Sequence, residues 1–146
     1  MTDDNKPSIQ LTVLGPAVPK ARPKFARVAH GVRTYTPTTT VSYMALIQSA
    51  YVKAYREMVF GHHEPIVIEA WFYLVKPKSA PRKRIYPVVK PDTLNMGQAV
   101  QDALEGFAYP NDAQIITVIA HKRYSYPPRT VITVRVATEE DGCSHT

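Results

Sequence analysis

The 146-residue chain is long enough for one domain with a real core, and its 45% hydrophobic content is ordinary for a soluble globular protein. Its net charge of +6 points to polyanionic partners. No apolar run approaches the roughly 18 residues that span a bilayer, and the one cysteine, Cys143, excludes a disulfide framework and a cysteine-based zinc site.

The opening MTDDNKPS is polar and acidic, unlike an export signal. With a lone cysteine, a reducing compartment and hence a cytoplasmic protein is expected. Residues 9–14, IQLTVL, alternate and are rich in β-formers, which predicts a strand. Residues 15–37 read as a basic loop. Residues 39–59 predict a helix opened by a threonine, with Tyr43, Leu46, Ile47, Ala50, Tyr51, Ala54 and Tyr55 on the core stripe. GHHEP ends it. His62, His63 and Glu64 are adjacent on an extended segment and point to different sides, so no structural metal is expected there.

Residues 65–75, PIVIEAWFYLV, predict a strand that runs into a second basic loop. A second helix follows over 93–107. Residues 113–124 and 129–137 predict two strands joined by SYPP as a hairpin, and 138–146 a frayed tail. The expected fold is α+β: one domain over 1–137, a mixed sheet with two main helices, in the order β-α-β-α-β-β.

The basic residues are unevenly placed. Lys20, Arg22, Lys24, Arg27 and Arg33 lie in the first loop. Lys76, Lys78, Arg82, Lys83, Arg84 and Lys90 lie in the second. Neither loop contains an acid, and together they hold 11 of the 18 basic residues. PxxPKARPK and KPKSAPRKR cannot sustain a helix or a central strand. Two basic loops of this kind suit a nucleic-acid phosphate backbone. Tyr86 and Phe25, embedded in them, are candidates for base stacking. The tyrosines of the first helix follow the core period and are expected to pack instead.

The acids cluster elsewhere. At 100° per residue, Met96, Val100, Ala103, Leu104 and Phe107 share the core face of the second helix, while Asn95, Gln98 and Asp102 share the polar face. Asp92 precedes the helix, where a carboxylate can cap the first turn. Asp112 follows Gly106 and a Tyr-Pro turn. Spacing alone leaves open whether Asp112 folds back toward Asp92.

The stretch KPDTLNMGQAVQDALEGFAYPNDAQ resembles the core of the RusA family of Holliday junction resolvases, small phage- and prophage-borne endodeoxyribonucleases. The matching residues are Lys90-Pro91-Asp92, Asn95, Asp102-Ala103-Leu104, Gly106, Tyr109, Asp112 and Gln114. GPAVPKARPKF, Tyr35-Thr36-Pro37 and WFYLVKPKS extend the resemblance over most of the chain. It implies a Mg²⁺-dependent nuclease that resolves four-way DNA junctions in recombination and repair, working as a homodimer with no membrane association. It also implies metal ligation by Asp92, Asp112 and Asp102, with Asn95 beside them in the catalytic group. Carboxylates are hard oxygen ligands that suit Mg²⁺. Lys20, Arg22, Lys24, Arg27, Lys76, Lys78, Arg82, Lys83, Arg84 and Lys90 are the expected DNA contacts.

The chain also departs from the pattern. Leu94 stands where the family has a second catalytic aspartate, and Gln98 where it has a lysine. Asn111 replaces the first acid of an Asp-Asp pair, and Met96 replaces a leucine. The alternative reading is therefore a catalytically impaired junction-binding protein of the same fold.

Overall fold

The computed structural model describes residues 6–20, 24–29, 31–35 and 38–142, with backbone only for 24–28 and 32–35. The strands are β1 (Ser8–Leu14), β2 (Lys24–Val28), β3 (Gly31–Tyr35), β4 (Ile66–Leu74), β5 (Ile115–Tyr124) and β6 (Arg129–Val136). The helices are α1 (Thr38–Tyr55) and α2 (Thr93–Leu104). The fold is α+β, with one four-stranded mixed sheet ordered β1-β6-β4-β5 and both helices on one of its faces.

Alternation sets the sheet's two sides. Ile9, Leu11 and Val13 of β1 point inward while their neighbours are exposed. Ile66, Ile68, Ala70 and Phe72 of β4 join Ile132 and Val134 of β6 on that inner face. Tyr43, Ile47 and Tyr51 of α1 and Met96, Val100, Ala103 and Leu104 of α2 close over it. β4 is the most apolar strand and takes a central place, bonded on both edges.

That placement corrects the expected hairpin. β5 pairs with β4 in parallel, β6 pairs with β4 antiparallel, and β4 lies between them. The SYPP segment therefore crosses over β4 rather than turning tightly. Its start is fixed by Ser125 N–H donating to the Leu74 carbonyl at 2.9 Å. A second correction concerns the first basic loop, where β2 and β3 form a separate antiparallel hairpin. Gly31, at φ 136°, supplies the turn conformation. The element order is β-β-β-α-β-α-β-β, with the expected order retained in the main sheet and its helices.

Both helices are shorter than predicted. α1 stops at Tyr55 because Arg56 takes a left-handed conformation, φ 64°. The Tyr51 hydroxyl then satisfies the returning chain, accepting from Val59 N–H at 3.1 Å and donating to the Glu57 carbonyl. The core stripe of α1 is also narrower. Thr40, Tyr43, Ile47 and Tyr51 are buried, whereas Leu46 is 53% exposed and Ala54 is exposed. α2 stops at Leu104, where Glu105 turns extended and Gly106 adopts φ 82°. Phe107 leaves the helix but still packs against the core.

Of the segment expected to fray, residues 143–146 lie outside the described residues, and the chain before them is tied at Asp141. Arg135 donates twice to Asp141, at 2.8 and 2.9 Å, and Thr138 N–H donates to the same carboxylate at 2.7 Å. These bonds hold the Asp141 carboxyl well below the usual carboxylate range.

Inside the core, the Tyr43 hydroxyl and the Thr130 hydroxyl share a 2.6 Å hydrogen bond. Burial pushes the Tyr43 phenol up from 10.0 to about 12, against the lowering effect of that bond. A raised folded value means the stabilisation from the neutral phenol is complete below the unfolded value near pH 10. It is lost as pH rises through about 12. Urea midpoints are expected to fall across this window, and Tyr43→Phe is expected to flatten the fall.

Candidate active site

β4, α2 and β5 form a β-α-β crossover, and the candidate residues sit along its helix. Gly97 is buried where α2 crosses β5. A Cβ there would lie 3.8 Å from the Ala120 side chain and 3.9 Å from that of Val118. The parallel strand demands a long return, and residues 75–92 supply its first part. Their last turn is held by Lys122, whose ammonium donates to the carbonyls of Val89 at 2.8 Å and Pro91 at 3.0 Å.

Asp92 follows immediately. It occupies the N-cap position of α2 with extended backbone, yet its carboxylate makes no capping bond. The side chain is exposed, and without a partner among the described residues, at the positive end of the helix. Asn95 lies one turn along and is also exposed. Leu94 is 82% exposed, so the apolar substitution faces water rather than the core.

Asp102 is committed. Its Oδ2 meets Lys20 Nζ at 3.0 Å, and its Oδ1 accepts from Gln98 Nε2 at 3.0 Å. Lys20 is seated further by its backbone N–H, which donates to the Asn95 carbonyl at 2.8 Å. Lys20 therefore lies along the polar face of α2, from Asn95 to Asp102. Both partners are about a quarter exposed, and such pairs are worth about 0.2–1 kcal/mol.

Asp112 lies past the other end of the helix. Its N–H donates to the Glu105 carboxylate at 2.7 Å, and its own carboxylate is exposed. Asn111 and Gln114 cap this short turn reciprocally. The Tyr109 hydroxyl anchors it by donating to the Gln101 carbonyl at 2.7 Å. Burial, then the charges of Glu105, Asp112 and Asp102, push the Tyr109 phenol far up.

The length of α2 decides what these acids can share within one chain. Twelve residues at 1.5 Å each put about 18 Å of helix between Asp92 and the turn that carries Asp112. Asp102 is about 15 Å along the axis from Asp92 by the same rise. The three aspartates are strung along the helix rather than gathered. Among the described residues, no group of three or more His, Cys, Asp or Glu side chains converges on one point.

Of the expected DNA contacts, Lys76, Lys78, Arg82, Lys83, Arg84 and Lys90 all lie in the segment that leads to Asp92. None of them ion-pairs with a carboxylate among the described residues. Arg22 and the side chains of Lys24 and Arg27 lie outside the described residues, as does that of Phe25. Sequence reasoning missed Lys122 and Glu105. The signal for Lys122 was available: it shares a strand face with Ala120, where a lysine needs partners.

Residues 15–135 match the sequence profile of a family described as endodeoxyribonuclease RusA. The chain is also 26% identical over 144 residues to the protein described as uncharacterized protein YqaN of Bacillus subtilis (strain 168), a match covering 87% of this chain and 95% of YqaN. No helix among the described residues is long and apolar enough to cross a membrane.

Proposed function

Because the chain belongs to the RusA endodeoxyribonuclease family, we propose that it resolves four-way DNA junctions by Mg²⁺-dependent hydrolysis, as a homodimer acting in recombination and repair in the cytoplasm. The observation that carries this reading is Asp92. It is a carboxylate at a helix N-terminus that leaves its capping bond unmade, on a segment pinned by Lys122, at the end of an acid-free basic loop. A carboxylate so placed repels DNA unless a cation stands between them.

The oxygen donors suit Mg²⁺, which is typically bound by one or two carboxylates, water and substrate phosphate. Asp92, with Asn95 beside it, would hold the ion from one chain, and Asp112 of the partner subunit would complete the set. Bound there, Mg²⁺ would supply an activated water and neutralise charge at phosphorus. The exposed apolar side chains support this arrangement. Leu94, Ile116 and Val118 stand exposed along α2 and the free edge strand β5. A twofold axis perpendicular to α2 at that surface would set two α2 helices antiparallel, so that the start of each would meet the end of the other. Asp102 is assigned to seating Lys20 rather than to the ion.

Leu94 and Gln98 favour a second reading, in which junctions are bound but not cut. The deciding experiment is a labelled four-way junction incubated with the protein, with and without Mg²⁺. Paired incisions that require Mg²⁺ are expected. Tight, Mg²⁺-indifferent binding without incision would replace the first reading with the second.

A further inference from the structure

The helices cover one face of the sheet, and the other carries a chemistry that the proposed cutting site does not use. Trp71 and Tyr73 of β4 alternate with buried Ala70 and Phe72, so they stand on the helix-free face. Register places His121 opposite Trp71 and Arg123 opposite Tyr73 on β5, and Arg129 opposite Tyr73 on β6. The Trp71 and His121 rings stack with centroids 3.7 Å apart. Trp71 and Tyr73 lie nearly parallel, with centroids 6.3 Å apart. Arg129 caps Tyr73 at 4.1 Å from the ring centre. Arg123 spans the Trp71 ring at 5.4 Å and the Tyr86 ring at 5.5 Å.

All the strand members of this cluster are half-buried, and Tyr86 is 57% exposed. Arg123 and Arg129 have no carboxylate partner among the described residues. The guanidinium groups instead lie over aromatic rings, while Arg123 donates to the Lys122 carbonyl at 2.9 Å and Arg129 to the Pro127 carbonyl at 2.8 Å. Tyr86 also ties the cluster to the basic loop that holds Arg82, Lys83 and Arg84. On β5, Lys122 reaches the segment before Asp92 on one side of the strand while Arg123 faces the cluster on the other. The two surfaces are therefore one strand apart.

We propose that this face is a stacking platform for unpaired DNA bases, taking the strand that opens at a branch point next to the cutting site. This rests on the reading of branched DNA as the substrate and adds a second contact surface to it. Aromatic and guanidinium planes recognise bases only where these are unstacked, whereas a duplex offers such a face little beyond its phosphates. The uncompensated arginines and the adjoining basic loop favour a polyanion over a second copy of this basic chain.

Trp71 is the only tryptophan and reports on the face directly. The test titrates the whole protein with oligo-dT, a four-way junction and a fully paired duplex. It follows Trp71 emission, with anisotropy of labelled DNA in parallel. Oligo-dT and the junction are expected to quench Trp71, and the duplex to do so far less. Tyr86→Ala, on an exposed loop, and Arg123→Gln are each expected to weaken oligo-dT binding about tenfold. A junction that binds without altering Trp71, or both variants binding oligo-dT like the parent, would overturn the proposal. So would equal quenching by duplex, or an emission change with protein concentration alone, which would mark the face as a contact between copies. Junction cleavage scored in the same samples separates the two ideas. Oligo-dT quenching without cleavage leaves the platform standing and removes the nuclease, and cleavage with a silent Trp71 does the reverse.

Discussion

Chains carrying Asp92→Asn, mixed with chains carrying Asp112→Asn, are expected to regain about a quarter of the parental cleavage rate, although neither variant cuts alone. Each change removes a charged oxygen donor from the proposed ion site, and losing one comparable group costs about 10²–10³ in rate. Both homodimers are therefore expected to be inactive while still binding junctions through the basic loops. Random exchange makes about half the dimers mixed. In a mixed dimer built as proposed, one site joins both damaged residues and the other joins both intact ones. Recovery follows from the roughly 18 Å of helix between Asp92 and the turn that carries Asp112 within a chain. If both carboxylates served one ion within a single chain, every site in every mixture would keep one lesion. No recovery at any mixing ratio, measured on a labelled junction, would refute the shared site between chains.

Leu94→Asp together with Gln98→Lys is expected to raise the Mg²⁺-dependent cleavage rate by about a hundredfold, the lower end of the range for one preorganised charged group. The side chain at 94 is 82% exposed, so an aspartate there avoids the desolvation that a core position would impose. It stands two residues from Asp92 and supplies the carboxylate that the family pattern has at this place. The second change has a structural competitor. Gln98 now donates to Asp102, and a lysine in its place would contend with Lys20 for that carboxylate. Gln98→Lys alone is therefore expected to gain little, and the pair to be non-additive. The aspartate should lower the Mg²⁺ concentration for half-maximal rate, while the lysine should act on the rate at saturating Mg²⁺. A folded double variant that cuts no faster than the parent would show that the missing groups do not limit the reaction.

The main strands and both helices were legible because each follows its own local period. Ile9, Leu11 and Val13 alternate, and Met96, Val100, Ala103 and Leu104 recur at helical spacing. The neighbours of each strand were not legible. β5 and β6 are adjacent in sequence and look like a hairpin, yet the most apolar strand inserts between them, and no local signal encodes that choice. The β2–β3 hairpin was hidden by the basic, proline-containing sequence around it, although Val28, Gly31 and Val32 carried a turn signal. The narrow stripe of α1 has a similar origin. A periodic pattern gives the apolar side of a helix but not how much of it the neighbours cover, and Leu46 is left outside.

At the candidate site, residue types were readable and separations were not. Asp92 was expected at the start of α2, and it is there. Its distance from Asp112 depends on where the chain goes after Gly106. The Glu105 bond to Asp112 N–H and the Tyr109 bond to Gln101 keep that turn at the far end of the helix. Asp102 was expected on the polar face of α2 among the metal ligands, and nothing in the sequence pointed to Lys20 as its partner.

Lys122 fixes one end of the basic loop that the proposed function assigns to DNA. By clasping the carbonyls of Val89 and Pro91, it orders the backbone before Asp92 in the free protein. Ordering a residue costs about 1–2 kcal/mol of conformational entropy, and at this point folding has already met that cost. The exposed stretch through Lys78, Arg82 and Lys83 is held only by its own turns and by Lys76, with no clasp from the sheet among the described residues, so on the proposed reading part of its ordering would fall on the DNA. A DNA that makes few contacts there leaves the front of the loop loose, however well a phosphate fits beside Asp92. On that reading, discrimination between DNA shapes would reside in the loop's basic front, while the carboxylate would keep the same position for every substrate.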